Sequence, residues 1–127
     1  MRDVLFRGKE ITTAKWVYGG YYGDSKRAWI RSVVSTEYGR EILQYEVDPS
    51  TVGQYTGLTD KNGKRIFEGD IVEEFCGVDG HREQGAVYFD DLHLQFLFGD
   101  YNSLLKCSVY ERKVIGNIYD NPELAKE

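Results

Sequence analysis

The sequence lacks several features that would each define a class of protein. No apolar run approaches the length needed to span a membrane. The opening stretch "MRDVLFRGKEI" alternates polar and apolar residues without an apolar core, so it does not resemble a signal peptide. Only two cysteines occur, Cys76 and Cys107, which is too few for a disulfide framework. These absences predict a cytoplasmic protein whose cysteines remain thiols and which has no membrane partner.

An excess of positive charge is also absent, since 16 Lys and Arg against 21 Asp and Glu give a formal net charge of −5. Eight basic against seven acidic side chains give residues 1–50 a net charge of +1, whereas eight against fourteen give residues 51–127 a net charge of −6. Non-specific affinity for nucleic acid comes largely from cations on phosphates, so a broad nucleic-acid-binding face is not expected. The sequence still allows a local basic patch in the N-terminal half, formed by Arg2, Arg7, Lys9, Lys15, Lys26, Arg27 and Arg31.

Aromatic residues and glycines are abundant: ten Tyr, six Phe and two Trp accompany fourteen Gly and only two Pro among 127 residues. This balance favours strands and turns, and turn signals recur about every eight to twelve residues. The pattern predicts a mainly β domain of short antiparallel strands. Pro49 would stop strand pairing, which separates an N-terminal β lobe, residues 1–48, from a C-terminal lobe, residues 49–127.

Alternation of apolar and polar residues locates the strands. They are predicted within "DVLFRGKEI", "AKWVYGGYYGD", residues 27–35, 41–47 and 71–77, "AVYFD", residues 92–99 and 104–111, and "KVIGNIYD". The strand over residues 92–99 would bury one face, made of Leu92, Leu94, Phe96 and Phe98. The closing "DNPELAKE" predicts a short C-terminal helix with Pro122 at its first position.

The stretch richest in turn signals is "TVGQYTGLTDKNGKRIFEGDIVEEF", residues 51–75. Its Asn62-Gly63 pair predicts a tight hairpin with positive φ at both positions. A phosphate-binding loop would need a helix after its glycines and usually a Lys-Ser/Thr pair, whereas another strand follows here. The glycines are therefore interpreted as turn residues.

The acidic residues of this stretch allow two interpretations. Glu68, Asp70, Glu73 and Glu74 could gather around a divalent ion, as in a metal-dependent nuclease built on Glu68, Asp70 and Glu73. On a strand, however, Asp70 and Glu74 point away from the face of Glu73. The favoured interpretation is a solvated rim that limits unwanted pairing at a sheet edge.

Residues for zinc binding or covalent catalysis are not arranged in a recognised pattern. Cys76, His81, His93 and Cys107 have the spacing C-x4-H-x11-H-x13-C, which matches no compact zinc site. No nucleophile elbow or cysteine-protease signature occurs. The sequence therefore predicts no catalytic residues, no metal site and no cofactor, and a protein that is not an enzyme.

Aromatic residues cluster in the N-terminal half, at Trp16, Tyr18, Tyr21, Tyr22 and Trp29. Trp16, Tyr18 and Trp29 among them are the candidate interaction surface. Tyrosine and tryptophan are enriched at subunit interfaces and in cores. The same side chains could stack on single-stranded bases. Protein contact is favoured, and nucleic-acid binding by this lobe remains an alternative.

The chain resembles the YopX family of phage and prophage proteins. The resemblance rests on "TVGQYTGLTDKNGKRIFEGDIV", supported in the expected order by "LFRGK", "WVYGGYY" and "VIGNIYDNPEL". It implies a C-terminal lobe similar to a small barrel of the Src-homology-3 type and a bacterial cytoplasm as the setting. It implies no activity, so its motif positions are interpreted as structural; these are Tyr55, Thr56, Gly57, Asp60, Gly63, Glu68, Gly69 and Asp70.

From these observations we expect a phage accessory protein that is not an enzyme. It would act through protein contact, with a second copy of itself or with a phage or host protein. Edge strands of open sheets make self-association plausible on physical grounds.

Overall fold

The computed structural model describes residues 5–76, 80, 82–92, 94–99, 102–103 and 110–125. Within them the chain is mainly β, as predicted. The strands are β1 (Phe6–Lys9), β2 (Trp16–Gly23), β3 (Ala28–Thr36), β4 (Gly39–Val47), β5 (Gly53–Thr59), β6 (Arg65–Phe67), β7 (Asp70–Cys76), β8 (Arg82–Asp90), β9 (Gln95–Phe98), β10 (Asn102–Ser103) and β11 (Tyr110–Asn117). Two short 3-10 helices are Pro49–Thr51 and Pro122–Ala125.

The chain divides into two compact units, Met1–Tyr55 and Thr56–Glu127. In the first unit the strands follow the order β4-β3-β2-β1-β5, with antiparallel pairing between neighbours. An isolated bridge between Glu10 and Val47 also holds the end of β1 against the end of β4. One face of this sheet carries the core, formed by Ala28, Ile30 and Val47 with Phe6, Val17 and Val52 packed against them.

Strand β2 changes its pairing partner at the glycine pair. Residues 16–19 pair with β1, and residues 20–23 pair with β3. A Cβ on Gly19 would lie 2.1 Å from the carbonyl oxygen of Arg31, so only glycine allows the backbones to come this close. Gly19 therefore allows β2 to pair with both β1 and β3.

The second unit contains the end of β5 beside β6, and a five-stranded sheet in the order β10-β9-β8-β7-β11. Its core is formed by Ile66, Val72, Val87, Phe98 and Val114. Among the described residues no pairing joins the two ends of this sheet, so the closed barrel expected from the resemblance is not confirmed. Strand β7 lies between β8 and β11 and is not an edge strand.

The hairpin between β5 and β6 turns where the sequence predicts it, but by another geometry. The N–H of Asp60 donates to the carbonyl of Lys64 at 2.8 Å, and the N–H of Gly63 donates to the carbonyl of Asp60 at 3.0 Å. Gly63 has φ +81°, whereas Asn62 is not among the residues with positive φ. The prediction for Asn62 was wrong because the loop is longer than two residues, and such a loop needs one left-handed residue at its end.

Gly63→Val is expected to lower the free energy of unfolding by about 1–3 kcal/mol through backbone strain. Nothing lies within 4 Å of a Cβ built on Gly63, so a steric clash would not contribute. Gly63→Asn should recover part of the loss because Asn tolerates left-handed backbone better than Val. Urea unfolding followed by circular dichroism would measure both variants. A Gly63→Val midpoint equal to that of the wild type would contradict the described turn.

The strand predicted over residues 92–99 is shorter than its alternation indicates. Leu92 and Leu94 are exposed in a turn, Leu94 has φ +54°, and β9 begins only at Gln95. The consecutive Leu97 and Phe98 are both buried. Burial of Leu92 and Leu94 was therefore wrongly predicted, because a left-handed turn interrupts the alternation before the strand starts.

Two further predictions concern the end of the chain. Of the strand predicted over residues 104–111, only Tyr110 and Glu111 are described, as the start of β11, and Cys107 lies outside the described residues. Pro122 begins the final helix as expected, but this is one 3-10 turn and not an α-helix. Four residues are too few to close successive α-helical hydrogen bonds.

Candidate functional site

Four aromatic side chains share the sheet face of the first unit that lies opposite its core, and we call them the aromatic face. Side chains alternate between the two faces along a strand, and Tyr22 lies directly opposite Trp29 in the β2–β3 register. Tyr18 is about half exposed, as is Tyr22, and both tryptophans are partly buried. The structure thus brings four of the five clustered aromatic residues together, whereas Tyr21 is opposite the core residue Ile30 and lies on the other face. The members of the aromatic face are Trp16, Tyr18, Tyr22 and Trp29.

At the β1 end of the aromatic face, two cations lie close to the ring of Trp16. The guanidinium carbon of Arg7 lies 4.5 Å from the centre of the Trp16 ring, and the Nζ of Lys9 lies 5.8 Å from it. Both cations reach the ring because Lys9 is opposite Trp16 and Arg7 is opposite Tyr18 in the β1–β2 register. Such contacts each contribute about 0.5–1 kcal/mol when exposed and more when desolvated.

At the β3 end, two rings and two guanidinium groups form a layered arrangement. The rings of Tyr22 and Trp29 stack at 5.1 Å with an interplanar angle of 15°. Arg27 lies 4.9 Å from the Trp29 ring, and Arg31 lies 5.2 Å from the Tyr22 ring. The arginines therefore occupy ring surface that a stacked base would otherwise use.

Strand β4 supplies a hydrogen-bond partner to each of these two arginines, and one of the two partners is charged. Arg27 donates from Nε and Nη2 to the two carboxylate oxygens of Glu46, both at 3.1 Å. This hydrogen-bonded pair raises the pKa of Arg27 and lowers the pKa of Glu46. Arg31 donates from Nη2 to Oε1 of Gln44 at 2.9 Å. The result is a surface rich in aromatic and guanidinium groups, on which Glu46 compensates the charge of Arg27 and Arg31 has a neutral hydrogen-bond partner.

The motif residues of β5 have backbone roles. The N–H of Tyr55 donates to the carbonyl of Leu5 at 2.7 Å, and the Tyr55 side chain is buried. The hydroxyl of Thr56 donates to the carbonyl of Ile66 at 2.8 Å. Gly57 has φ +88°, a conformation that favours glycine. These contacts and this backbone conformation belong to β5 and the strands beside it.

Asp60 is a buried carboxylate that organises the hairpin. Its Oδ1 accepts from the N–H groups of Asn62 and Lys64, both at 2.9 Å, and its Oδ2 accepts from the N–H of Val114 at 3.0 Å. Burial opposes ionisation, but these three donors and the charge of Lys64 outweigh it, so the pKa of Asp60 lies below its ordinary value. The hydrogen bonds described for the Asp60 carboxylate are all to backbone N–H groups, which they hold in place.

Around the third motif glycine, Gly69, the backbone is tightly enclosed. Gly69 has φ +89°, and a Cβ there would lie 2.9 Å from the Tyr119 ring. Its N–H donates to the carbonyl of Val87 at 2.9 Å. Beside it, Asp70 is buried and accepts at 2.8 Å from the N–H of Phe67, while Glu68 is partly exposed.

The interpretation of the acidic residues as a solvated rim was wrong for two of them. Asp70 and Glu74 are buried, and Glu74 accepts from the Nε of Arg112 at 3.3 Å. The reason is that β7 is not an edge strand, and that Asp70 and Glu74 share a face of it with the core residue Val72. Glu73 points to the opposite face, as predicted, and pairs with Arg82 at 3.4 Å.

The residues considered for metal binding are not brought together where the structure describes them. No group of three or more His, Cys, Asp or Glu side chains within the described ranges is arranged to hold a metal ion. His81, His93, Cys107 and the side chain of Cys76 lie outside those ranges. Among the described residues, no helix has the length and apolar character that crossing a membrane would require.

Comparison with known proteins agrees with the fold. The family model described as YopX protein matches residues 5–126. None of the curated proteins matches the chain significantly. The solved structures include a crystal structure of protein EF1440 from Enterococcus faecalis that is similar over 99% of this chain and 100% of that chain, with 23% identity and a TM-score of 0.63. At this identity the likeness shows a shared fold.

Proposed function

This chain belongs to the YopX protein family, and from that premise we propose that it is a non-enzymatic protein that acts by contact with other proteins, including copies of itself. The observation that carries the proposal is the aromatic face. Tyr, Trp and Arg are the residue types most enriched among those that dominate protein interfaces, and this surface consists largely of them.

The carboxylates of the second unit support a role without catalysis. Asp60, Asp70 and Glu74 are buried and each accepts a hydrogen bond from the protein itself. A general acid or base must instead reach a substrate from a cleft. Phage or prophage origin and a place in the bacterial cytoplasm belong to the same proposal, as implied by the resemblance.

Tyr18→Ser combined with Tyr22→Ser is expected to weaken self-association at least tenfold, which corresponds to about 1.4 kcal/mol. The change removes two partly exposed rings from the aromatic face and leaves the core side of β2 unchanged. Sedimentation velocity over a concentration series would measure it. Tyr38→Ser is the matched control, because Tyr38 is almost fully exposed in the β3–β4 turn.

Either of two results would contradict this role of the aromatic face. One is a wild-type protein that stays monomeric at the highest concentrations. The other is an association constant that is the same in the wild type and in the double variant. An effect of the Tyr38→Ser control equal to that of the double variant would show that tyrosine loss in general is responsible.

A second candidate function is binding of single-stranded nucleic acid by the same surface. Exposed rings interleaved with cations are the chemistry that such proteins use. The layered guanidinium groups and the pairing of Arg27 with Glu46 favour protein contact over this alternative. Binding of an oligothymidylate that weakens steeply as salt rises would support the second function, and no binding at low salt would remove it.

A further inference from the structure

The outer edge of β4 is long and regular. All nine residues of β4 pair with β3 without a register shift, and β4 ends the strand order of its sheet. Natural edge strands usually carry proline, charged side chains (lysine above all) or a bulge that discourages pairing with another chain. Strand β4, "GREILQYEV", contains no proline or lysine, and its pairing with β3 shows no bulge. Its charged residues are Arg40, Glu41 and Glu46, which are of both signs.

The backbone groups that point outward from β4 can be identified from its last residues. The carbonyl of Glu46 accepts from the N–H of Ile11 at 3.1 Å, and the N–H of Asp48 donates to the carbonyl of Lys9 at 2.9 Å. Successive residues of a strand direct their backbone N–H and C=O groups to opposite sides, so every second residue directs them to the same side. Residues 40, 42 and 44 therefore present theirs on the same outer side as Glu46, and Ile42 is the middle one of these three.

An exposed apolar pair lies at the same place. Val33 and Ile42 are directly opposite each other in the β3–β4 register and are 59% and 62% exposed. Both point to the side of the aromatic face, because Ile42 and Glu46 are separated by an even number of residues and Glu46 is opposite Trp29. Large apolar side chains on an open edge mark an interaction site or an aggregation hazard.

We propose that β4 pairs antiparallel with β4 of a second copy of this chain, with the two-fold axis at Ile42. Ile42 would then face Ile42 of the second copy, and each Arg40 would face a Gln44. Each of these pairs exchanges two N–H···O bonds in an antiparallel ladder. The two Val33–Ile42 pairs become one apolar row across the axis.

Charge complementarity supports a second copy of this chain as the partner of β4. In the proposed register Arg40 is diagonal to Glu46 of the second copy, a spacing that long side chains span. Centring the axis on Arg40 would instead place two arginines opposite each other. Centring it on Leu43 would require the backbone edge of Glu46, whose carbonyl already accepts from Ile11. The axis at Ile42 avoids both conflicts.

The edge contact deepens the proposed function and rests on its claim of self-association. A continuous sheet formed across the axis directs the aromatic faces of both copies to the same side, so the two faces do not contact each other within the edge-paired dimer. The edge contact and the contact through the aromatic face are therefore two separate contacts, and the paired faces are presented together to a further copy or to another protein. Two linked copies of a binding surface raise the effective concentration of the second contact. The pairing of two β4 strands would therefore combine two aromatic faces into one bivalent binding surface.

Ile42→Lys is expected to weaken this association at least tenfold, because it replaces the apolar contact at the axis with two like charges directly opposite each other. Tyr38→Lys is the control, since it adds the same charge to the same hairpin outside the proposed pairing. Sedimentation velocity measures association, and circular dichroism melting confirms that both variants fold. An Ile42→Lys protein that folds and associates like the wild type would overturn the edge contact.

A second variant tests the register. Paired residues of the hydrogen-bonded type have Cα atoms about 5.5 Å apart, which lies within the range that a disulfide spans. Ile42→Cys, oxidised with diamide, should give covalent dimers on a non-reducing gel. The wild type and Tyr38→Cys show the background from the native cysteines. Cross-linking no stronger than in these controls would overturn the proposed register.

The two proposals fail in different ways. A wild-type protein that associates but is unaffected by Ile42→Lys refutes the edge contact and leaves the proposed function standing. A wild-type protein that remains monomeric throughout refutes self-association itself.

Discussion

Arg112→Ala is expected to lower the free energy of unfolding by about 3–5 kcal/mol, because it removes the guanidinium that compensates a buried carboxylate. Arg112 and Glu74 are directly opposite in the β7–β11 register, with the Nε of Arg112 3.3 Å from Oε2 of Glu74. Their side chains are only 14% and 1% exposed. A charge at this depth cannot recover its hydration while the sheet stays folded.

The same sheet supplies a matched control for this ion pair. Arg82 lies 3.4 Å from Glu73, but these side chains are 63% and 36% exposed. Arg82→Ala should therefore cost less than about 1 kcal/mol. Urea unfolding monitored by circular dichroism compares the two variants directly. Equal losses would show that burial does not distinguish the pairs.

Removing both members of the buried pair separates charge from packing. Glu74→Leu combined with Arg112→Leu should be much less destabilising than Arg112→Ala alone, because no charge is left buried. A double variant as unstable as the single one would contradict this explanation.

Asp60→Ala is expected to lower the free energy of unfolding by about 2–4 kcal/mol, because three backbone donors lose a charged acceptor. Two of these donors belong to the hairpin, and the third, the N–H of Val114, belongs to β11. The variant therefore disturbs the turn and its attachment to the sheet together. Equilibrium unfolding in urea would measure the loss.

Asp24→Ala is the control for Asp60. Oδ1 of Asp24 accepts from the N–H groups of Lys26 and Arg27, at 2.8 Å and 3.0 Å, in an exposed loop of the first unit. The loss there should be smaller, since solvent can replace the carboxylate. A loss as large as that of Asp60→Ala would contradict a special role for burial and for the link to β11.

The contribution of Asp60 also depends on pH in a defined direction. Because its pKa in the folded protein is held below the ordinary 3.8, its carboxylate stabilises the fold fully above that value. This stabilisation is lost as pH falls through the lowered pKa. The stability difference between wild type and Asp60→Asn should therefore be constant above about pH 5 and shrink in more acidic solution. A difference that grows on acidification would refute the assignment.

The strands of the first unit and the members of the aromatic face could be predicted because they depend on local alternation. Trp16 and Tyr18 fall on one face of any strand that contains both, and Trp29 joins them once β2 and β3 pair. The cations could not be assigned to rings in the same way. The contact of Arg7 with Trp16 depends on the β1–β2 register, which is a tertiary property.

The buried carboxylates were missed for a related reason. Alternation placed Glu74 and Glu73 on opposite faces of β7 correctly, but it does not show which face is covered by the rest of the protein. The cation beside Glu74 is 38 residues away in the sequence. The alternation at Leu92 and Leu94 failed because a single residue with positive φ can end a pattern that otherwise continues.

The most direct test of the aromatic face as a protein-contact surface is intrinsic tryptophan emission, because both tryptophans of the chain, Trp16 and Trp29, belong to it. Emission would be recorded over a series of protein concentrations and, separately, during titration with an oligothymidylate at low salt. We expect the emission to shift to shorter wavelength as the protein associates, and to remain unchanged when the oligonucleotide is added. Emission that is independent of protein concentration but quenched by the oligonucleotide, with recovery at high salt, would contradict the account.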